Sequence, residues 1–361
     1  MPTTDQILTT AQSLRDQFAA LGGQVANADV LQPADTLLDL YGEDIRARAY
    51  VTNDPLHGEM MLRPDFTVPV VQMHMETYAE PARYTYSGTV FRKQETDNSR
   101  ANEYVQVGYE VFDGKDPGGA DAEVFAAIAA ALSDLPVRAS TGDIGLLTAA
   151  ISGLKTSDAR KAALLRHLWR PQRFKALLDR FCGLTKMPDS RAKLLATETP
   201  FADVGQQIGL RSRSEVSARI DALRSDAATP PVSSEERALI DAILALHETV
   251  PNVLSALRDI AVDLPAIVDA VEDLAYRTDA MAAKGVAVDD LQFEGSYGRT
   301  SLEYYDGFVF GFYATLRPDL SPIATGGRYD ALTAQLGNGR AVPAVGAVIR
   351  PDLLIAVQEG S

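Results

Sequence analysis

The sequence predicts an α+β protein: a largely antiparallel sheet flanked by helices and interrupted by a helical insertion. Three observations predict it. Residues 83–112, RYTYSGTVFRKQETDNSRANEYVQVGYEVF, set two strand-like runs on either side of a polar loop, the pattern of an antiparallel hairpin. From about 145 to about 285 the period changes, and segments such as SDARKAALLRHLW, RFKALLDRF and EERALIDAILALHETV place apolar residues at helical spacing. Strand character returns at about 290 with LQFEGSYGRTSLEYYDGFVFGFYATL, rich in aromatic residues and broken by Gly307 and Gly311. The simplest arrangement joins residues 1–145 and 286–361 into one core, with 146–285 as the insertion.

Taken in order, Ile7, Leu8, Ala11, Leu14, Phe18 and Leu21 describe a first amphipathic helix, with Gly22-Gly23 as its stop. Pro33 inside an apolar segment fits an edge strand or a turn. Short strands are expected at 45–51 and 59–63. MMLRPDFTVPVVQMHMETY then turns to a helix in which Thr67 is a capping candidate and Pro69 is tolerated in the first turn. His74, among Val70, Val71 and Met75, reads as a packed residue. After the hairpin, residues 120–132 form an alanine-rich helix with acidic residues assigned to its first turn, followed by a strand in PVRASTGDIG. Within the insertion, Ser233 or Ser234 is positioned to begin a helix. Trp169 and Cys182 read as packing residues, and the charges there as solvated faces. GGRYDAL opens a short helix, with Asp330 and Arg328 bracing the turn. VPAVGAVIRPDLL is a buried strand followed by a helix starting at Pro351.

Composition narrows the function. The chain of 361 residues carries 49 acidic and 34 basic side chains, a formal charge of −15, which disfavours phosphate backbones and anionic membranes as partners. Cys182 is the only cysteine, so no internal disulfide forms, and His57, His74, His167 and His247 lack metal-ligand spacing. No metal or cofactor is expected. The N-terminal stretch is polar, and no run of about 18 apolar residues occurs, which argues against export or membrane insertion and for the cytoplasm.

The hairpin carries the chemistry. Tyr104, Gln106, Gly108, Glu110 and Phe112 share one side of its second strand, so Gln106 and Glu110 flank a glycine that leaves an open space above the backbone. Arg92 adds a fixed charge at the end of the first strand. An acid, an amide and an arginine suit a zwitterion such as an amino acid. From the hairpin alone, a merely solvated polar face explains these residues equally well.

With these motifs placed, the chain resembles the catalytic domain of class II aminoacyl-tRNA synthetases, and within them histidyl-tRNA synthetase. LRPDFT is similar to that family's LRPEGT, and FRKQETDNSRANEYVQVGYEVF to its motif 2 hairpin. LEYYDGFVF resembles its LDYY segment, GGRYDAL and VPAVGAVIRPDLL its motif 3 region, and Pro33 its motif 1 proline. The resemblance implies a mostly antiparallel sheet flanked by helices and a homodimer. It implies a histidine pocket in which Asp65, Thr67, Gln106 and Glu110 hold the ammonium group, Arg92 lies near the carboxylate, and Tyr304 and Tyr305 pack along the imidazole. Arg100 matches a phosphate-contacting arginine, here a remnant. Three nucleotide-handling positions depart from the pattern: the adenine-reading glutamate is Gln94, an arginine is Thr300 with Arg299 one place before it, and the motif 3 arginine is Leu353. Arg350 is the nearest substitute from a shifted register. Positioned arginines supply much of the transition-state stabilisation at an α-phosphate, so their replacement argues against adenylation. The chain stops soon after motif 3, and no anticodon-binding domain is expected.

A retained amino-acid pocket without its ATP machinery resembles the ATP phosphoribosyltransferase regulatory subunit family. That resemblance implies a non-catalytic chain with no catalytic residues of its own. Its partner would be a short-form catalytic subunit that requires it for activity, within a hetero-oligomer that responds to histidine as the effector in histidine biosynthesis. Two readings stand beside it: an amino-acid-activating enzyme without an anticodon domain, resting on Arg92, Arg100 and Arg350, and an amino-acid or dinucleotide binding protein of another pathway.

Overall fold

A computed structural model describes residues 2–41, 45–94, 101–202, 205, 208–299 and 304–360. The first helix, α1 (Thr4–Ala20), is closed by a capping box in which Thr3 and Gln6 each accept from the other's backbone amide. It leads through Gly22, in the left-handed region at φ +94°, into β1 (Gln24–Val25). A small antiparallel sheet follows, in the order β2 (Leu31–Pro33), β4 (Gly58–Leu62), β3 (Val51–Asp54), with the intervening helices α2 (Ala34–Tyr41) and α3 (Ile45–Arg48). Pro33 lies on the edge strand, where its missing N–H costs no ladder bond. The strand expected at 45–51 is instead α3 followed by β3. The apolar residues Ile45 and Ala49 are buried four apart on one face, a spacing that a helix satisfies, and the amide of Ala49 donates to the Ile45 carbonyl.

Helix α4 (Thr67–Thr77) precedes the hairpin of β5 (Ala82–Phe91) and β6 (Glu103–Phe112). Next come α5 (Pro117–Ala131), capped by Asp116, β7 (Val137–Asp143) and α6 (Ile144–Gly153). The acidic first turn expected for α5 does not occur: the helix begins earlier, and Asp121 and Glu123 lie farther inside it. Helices α7 (Asp158–Leu165), α8 (Pro171–Phe181), α9 (Asp189–Ala196), α10 (Arg213–Ala228) and α11 (Ser234–Ala245) then run in series. Ser212 caps α10, and Ser233 caps α11 through a capping box with Glu236.

The expected insertion of 146–285 returns to the core before its end. Strand β8 (His247–Thr249) sits at one edge of the main sheet, and after α12 (Val250–Asp263) helix α13 (Val268–Ala283) packs on α5. Strand β9 (Gln292–Glu294), β10 (Phe308–Ala314), β11 (Ala324–Arg328), α14 (Asp330–Leu336), β12 (Ala344–Ile349) and α15 (Pro351–Gln358) complete the chain. The nine-stranded sheet has the order β1-β5-β6-β12-β11-β10-β7-β9-β8, and its pairs are antiparallel except β1 with β5 and β7 with β9.

Each face of this sheet has a separate task. On one, Phe308, Phe310 and Phe312 of β10 alternate toward Phe125 of α5 at centroid distances of 5.0–6.2 Å, and Tyr109 of β6 stacks on Phe18 of α1. The other face carries the polar residues of the hairpin. Beneath α13 lies a buried ion network. Asp121, 2% exposed, accepts from Arg277 of α13 at 3.2 Å and from Arg328 of β11 at 2.8 Å; Arg277 also reaches Asp143 at 2.6 Å and lies over the Phe308 ring. Burial pushes the Asp121 carboxyl up, and the two arginines oppose that rise. Asp330 takes a further bond from Arg328 at 3.0 Å and accepts the Ala344 amide, so the brace expected in GGRYD extends into α5 and α13. Removing Asp121 leaves two buried guanidinium groups without their shared acceptor. Asp121→Ala is expected to cost about 3–5 kcal/mol in urea unfolding, more than any single exposed ion pair such as Lys186–Asp189.

Candidate functional site

The site is built outward from Glu110 in the middle of β6. A carboxylate there, 1% exposed, requires donors, and it receives three hydroxyls from three segments. Tyr86 of β5 donates to Oε1 at 2.8 Å, Thr67 of α4 donates to the same oxygen at 3.1 Å, and Tyr329 donates to Oε2 at 2.7 Å. Thr67 is therefore the first residue of α4 rather than its cap, and its hydroxyl is committed to Glu110. Gly346 on β12 pairs with Glu110, and a side chain there would occupy the space of the carboxylate. The expected open space above Gly108 is filled: Tyr86, its partner in register, lays its ring across that glycine to reach Glu110. The ring is held by stacking on Phe66 at 4.4 Å, and the Arg63 guanidinium covers the far side of Phe66 at 4.0 Å.

Around this carboxylate the structure brings together the residues singled out in the sequence. Asp65, buried at the start of α4, has the Val68 amide at 3.4 Å and Arg92 at 4.0 Å, while the Arg92 Nε donates to the Pro64 carbonyl at 2.7 Å. Tyr304 and Tyr305 meet edge-on at 4.7 Å, and Tyr304 meets Tyr329 edge-on at 6.3 Å. Gln106, two residues before Gly108, is 3% exposed, and its Oε1 has no hydrogen-bond partner. Both strands of the hairpin are thus buried in this region, and the solvated-face reading fails. Arg100 and Thr300 lie outside the described residues. His74 is packed as expected, stacked on Phe112 at 3.8 Å.

The electrostatics are those of a site short of positive charge. Burial pushes the Glu110 carboxyl up to about 7, with Asp65 adding to the rise and the three hydroxyls opposing it. Burial also raises Asp65, while Arg92 and the amides of Val68 and Thr67 pull it down. The buried Gln106 Oε1 adds an acceptor with no donor of its own.

The nucleotide-handling positions point elsewhere. Leu353 packs against the hydrophobic core from α15. Arg350, just after β12, is held by Asp352 at 2.8 Å and lies over the Tyr104 ring. Arg299 is buried toward the helical segment, where its Nε donates to the Leu168 carbonyl at 2.9 Å. Among the described residues, neither substitute arginine is turned toward Glu110.

A family model described as histidyl-tRNA synthetase matches residues 2–199 and 217–354. The Agrobacterium fabrum ATP phosphoribosyltransferase regulatory subunit is 32% identical over 368 residues, covering 96% of each chain. The chain belongs to the ATP phosphoribosyltransferase regulatory subunit family. The Mesorhizobium japonicum member is 29% identical, covering 99% of this chain and all of that one. Among solved structures, an ATP phosphoribosyltransferase regulatory subunit/histidyl-tRNA synthetase from Bacillus halodurans matches with a TM-score of 0.69 and 19% identity, over 99% of this chain and 81% of that one. Histidyl-tRNA synthetase from Nostoc matches with a TM-score of 0.65 and 16% identity, over 98% and 72%. The expected class II synthetase-like fold is therefore present, and membership of the regulatory subunit family places the chain in histidine biosynthesis.

Tyr86 and Tyr329, which hold the pocket's carboxylate in this family member, escape sequence reading. Tyr86 is visible only as one of several strand tyrosines, and its role depends on pairing with Gly108; Tyr329 sits in GGRYD, 219 residues from its acceptor. Glu110 also gives a pH signature. Below about 4.5 it is protonated in folded and unfolded chains alike and costs nothing. Between there and about 7 the unfolded chain ionises while the folded one holds its proton, so stability falls as pH rises, and above about 7 the loss levels off. Urea titrations from pH 4 to 8 are expected to show this loss in the wild type and not in Glu110→Gln, which keeps a neutral group of the same shape.

Proposed function

We propose that the pocket around Glu110 binds free histidine and that the chain is the non-catalytic, histidine-sensing subunit of ATP phosphoribosyltransferase. The observation that carries this reading is the pairing of a buried, cation-poor acidic pocket with nucleotide positions that have lost their charge. Asp65, Thr67, Gln106 and Glu110 take the ammonium group, Arg92 the carboxylate, and Tyr304 and Tyr305 the imidazole. Leu353 offers no charge to an α-phosphate, Gln94 stands where the resemblance implies an adenine-reading glutamate, and the nearest alternative arginines are engaged by Asp352 and by Leu168.

The partner is a short-form catalytic subunit that condenses ATP with phosphoribosyl pyrophosphate and requires this chain for activity. The assembly contains a homodimer of this chain and acts in the cytoplasm; among the described residues no helix is long and apolar enough to cross a membrane. Regulation follows from differential affinity: histidine that binds one state of the assembly better than another shifts the population toward it.

In the reconstituted complex, Gln106→Ala is expected to raise the histidine concentration for half-inhibition about tenfold or more, because it removes a buried hydrogen-bonding group from the ligand. Unchanged feedback would place the effector site elsewhere. The isolated chain is expected to show no histidine-dependent exchange of pyrophosphate with ATP; robust exchange would make it an amino-acid-activating enzyme. Failure to associate with a short-form catalytic subunit would favour a binding protein of another pathway.

A further inference from the structure

The turn between α7 and α8, RHLWRPQR, stands apart from the rest of this acidic protein. Between residues 155 and 180 the chain has eight Lys or Arg and two Asp or Glu, against a formal charge of −15 overall. Arg166, Arg170 and Arg173 lie close enough to His167 to act on it electrostatically, and together with burial, the larger effect, they push its imidazole below the ordinary histidine range. Arg299 enters from the other side: its Nε donates to the carbonyl of Leu168, between His167 and Trp169, and its guanidinium lies over the Phe174 ring at 4.8 Å.

Three polar atoms in this one place are buried without a hydrogen-bond partner: Nδ1 of His167, Nε1 of Trp169 and Nη2 of Arg299. The tryptophan and arginine atoms can only donate, and the neutral imidazole donates from Nδ1 in one tautomer. Buried donors left without acceptors are costly, and a cluster of them under a positive field calls for an anion. Exposure is graded toward them. Arg166 and Arg173 are exposed, His167, Trp169 and Arg170 are half-buried, and Arg299 is 4% exposed.

We propose that the α7–α8 turn, with Arg299, is a binding site for a phosphate-bearing small molecule, separate from the Glu110 pocket. A multiply charged tetrahedral oxyanion uses several arginine forks and additional N–H donors at once, which a single carboxylate cannot do. The outer arginines attract the anion, and the inner donors receive its oxygens as the half-buried side chains part.

The chain has one tryptophan, Trp169, so its intrinsic fluorescence reports on this site alone. The test is a titration of the full-length protein with pyrophosphate at constant ionic strength, with inorganic phosphate and ATP as parallel probes and sodium chloride and an oligoglutamate as controls. A saturable change in Trp169 emission with at least one phosphate probe is expected. Its midpoint should rise about tenfold or more in Arg166→Ala/Arg173→Ala, whose exposed positions leave the thermal midpoint of unfolding unchanged. The order of the three probes identifies which phosphate chemistry fits best. No saturable change with any phosphate probe, an equal response to oligoglutamate, or a midpoint unmoved in the double variant would overturn the proposal.

Discussion

The structure depends on one buried acceptor. Glu110 sits in the middle of the sheet, and its two oxygens are shared by hydroxyls from α4, β5 and the turn before α14. These segments are distant in sequence, so a single carboxylate fixes their relative positions. The glycines at 108 and 346 follow from it, since each leaves space for a side chain that reaches or carries this group. A buried acid held only by neutral donors is poorly compensated, which is why burial raises its carboxyl to about 7.

The pocket is tied to the helical segment through the residue next to it. Tyr329 donates to Glu110, and its neighbour Arg328 pairs with Asp121, which also holds Arg277 of α13. Side chains in this network are between 2% and 11% exposed, so the charges are strongly coupled. The Glu110 site and the seating of α13 thus meet at the adjacent residues Arg328 and Tyr329.

Much of this was legible in the sequence. The hairpin, the helical middle, the return of strands at 290 and the helix beginning at Pro351 followed from periodicity and from proline and glycine placement. Asp65, Thr67 and Glu110, which meet in the structure, and the buried Gln106 were visible because polar side chains alternate with apolar ones around a glycine and match a family pattern. Long-range register was not legible: nothing local shows that Tyr86 crosses Gly108, that Tyr329 reaches Glu110, or that Asp121 faces two arginines from distant segments. Ile45–Arg48 was misread because Ile45, Ala47 and Ala49 fit alternation as well as helical spacing. That α13 packs on α5 was not legible either, because its amphipathic pattern is the same whether it packs on a sheet or on other helices. Trp169 packs against the core as its sequence context predicts, while its unpartnered nitrogen is a property of the fold and not of the sequence.

The central claim is that a synthetase-like pocket has been kept for its ligand after its nucleotide positions lost their charge. Isothermal titration of the isolated chain with histidine tests it most directly. The account predicts saturable binding at one site per chain, unaffected by ATP and lost in Glu110→Ala. Absence of binding, or binding that persists unchanged in Glu110→Ala, would contradict it.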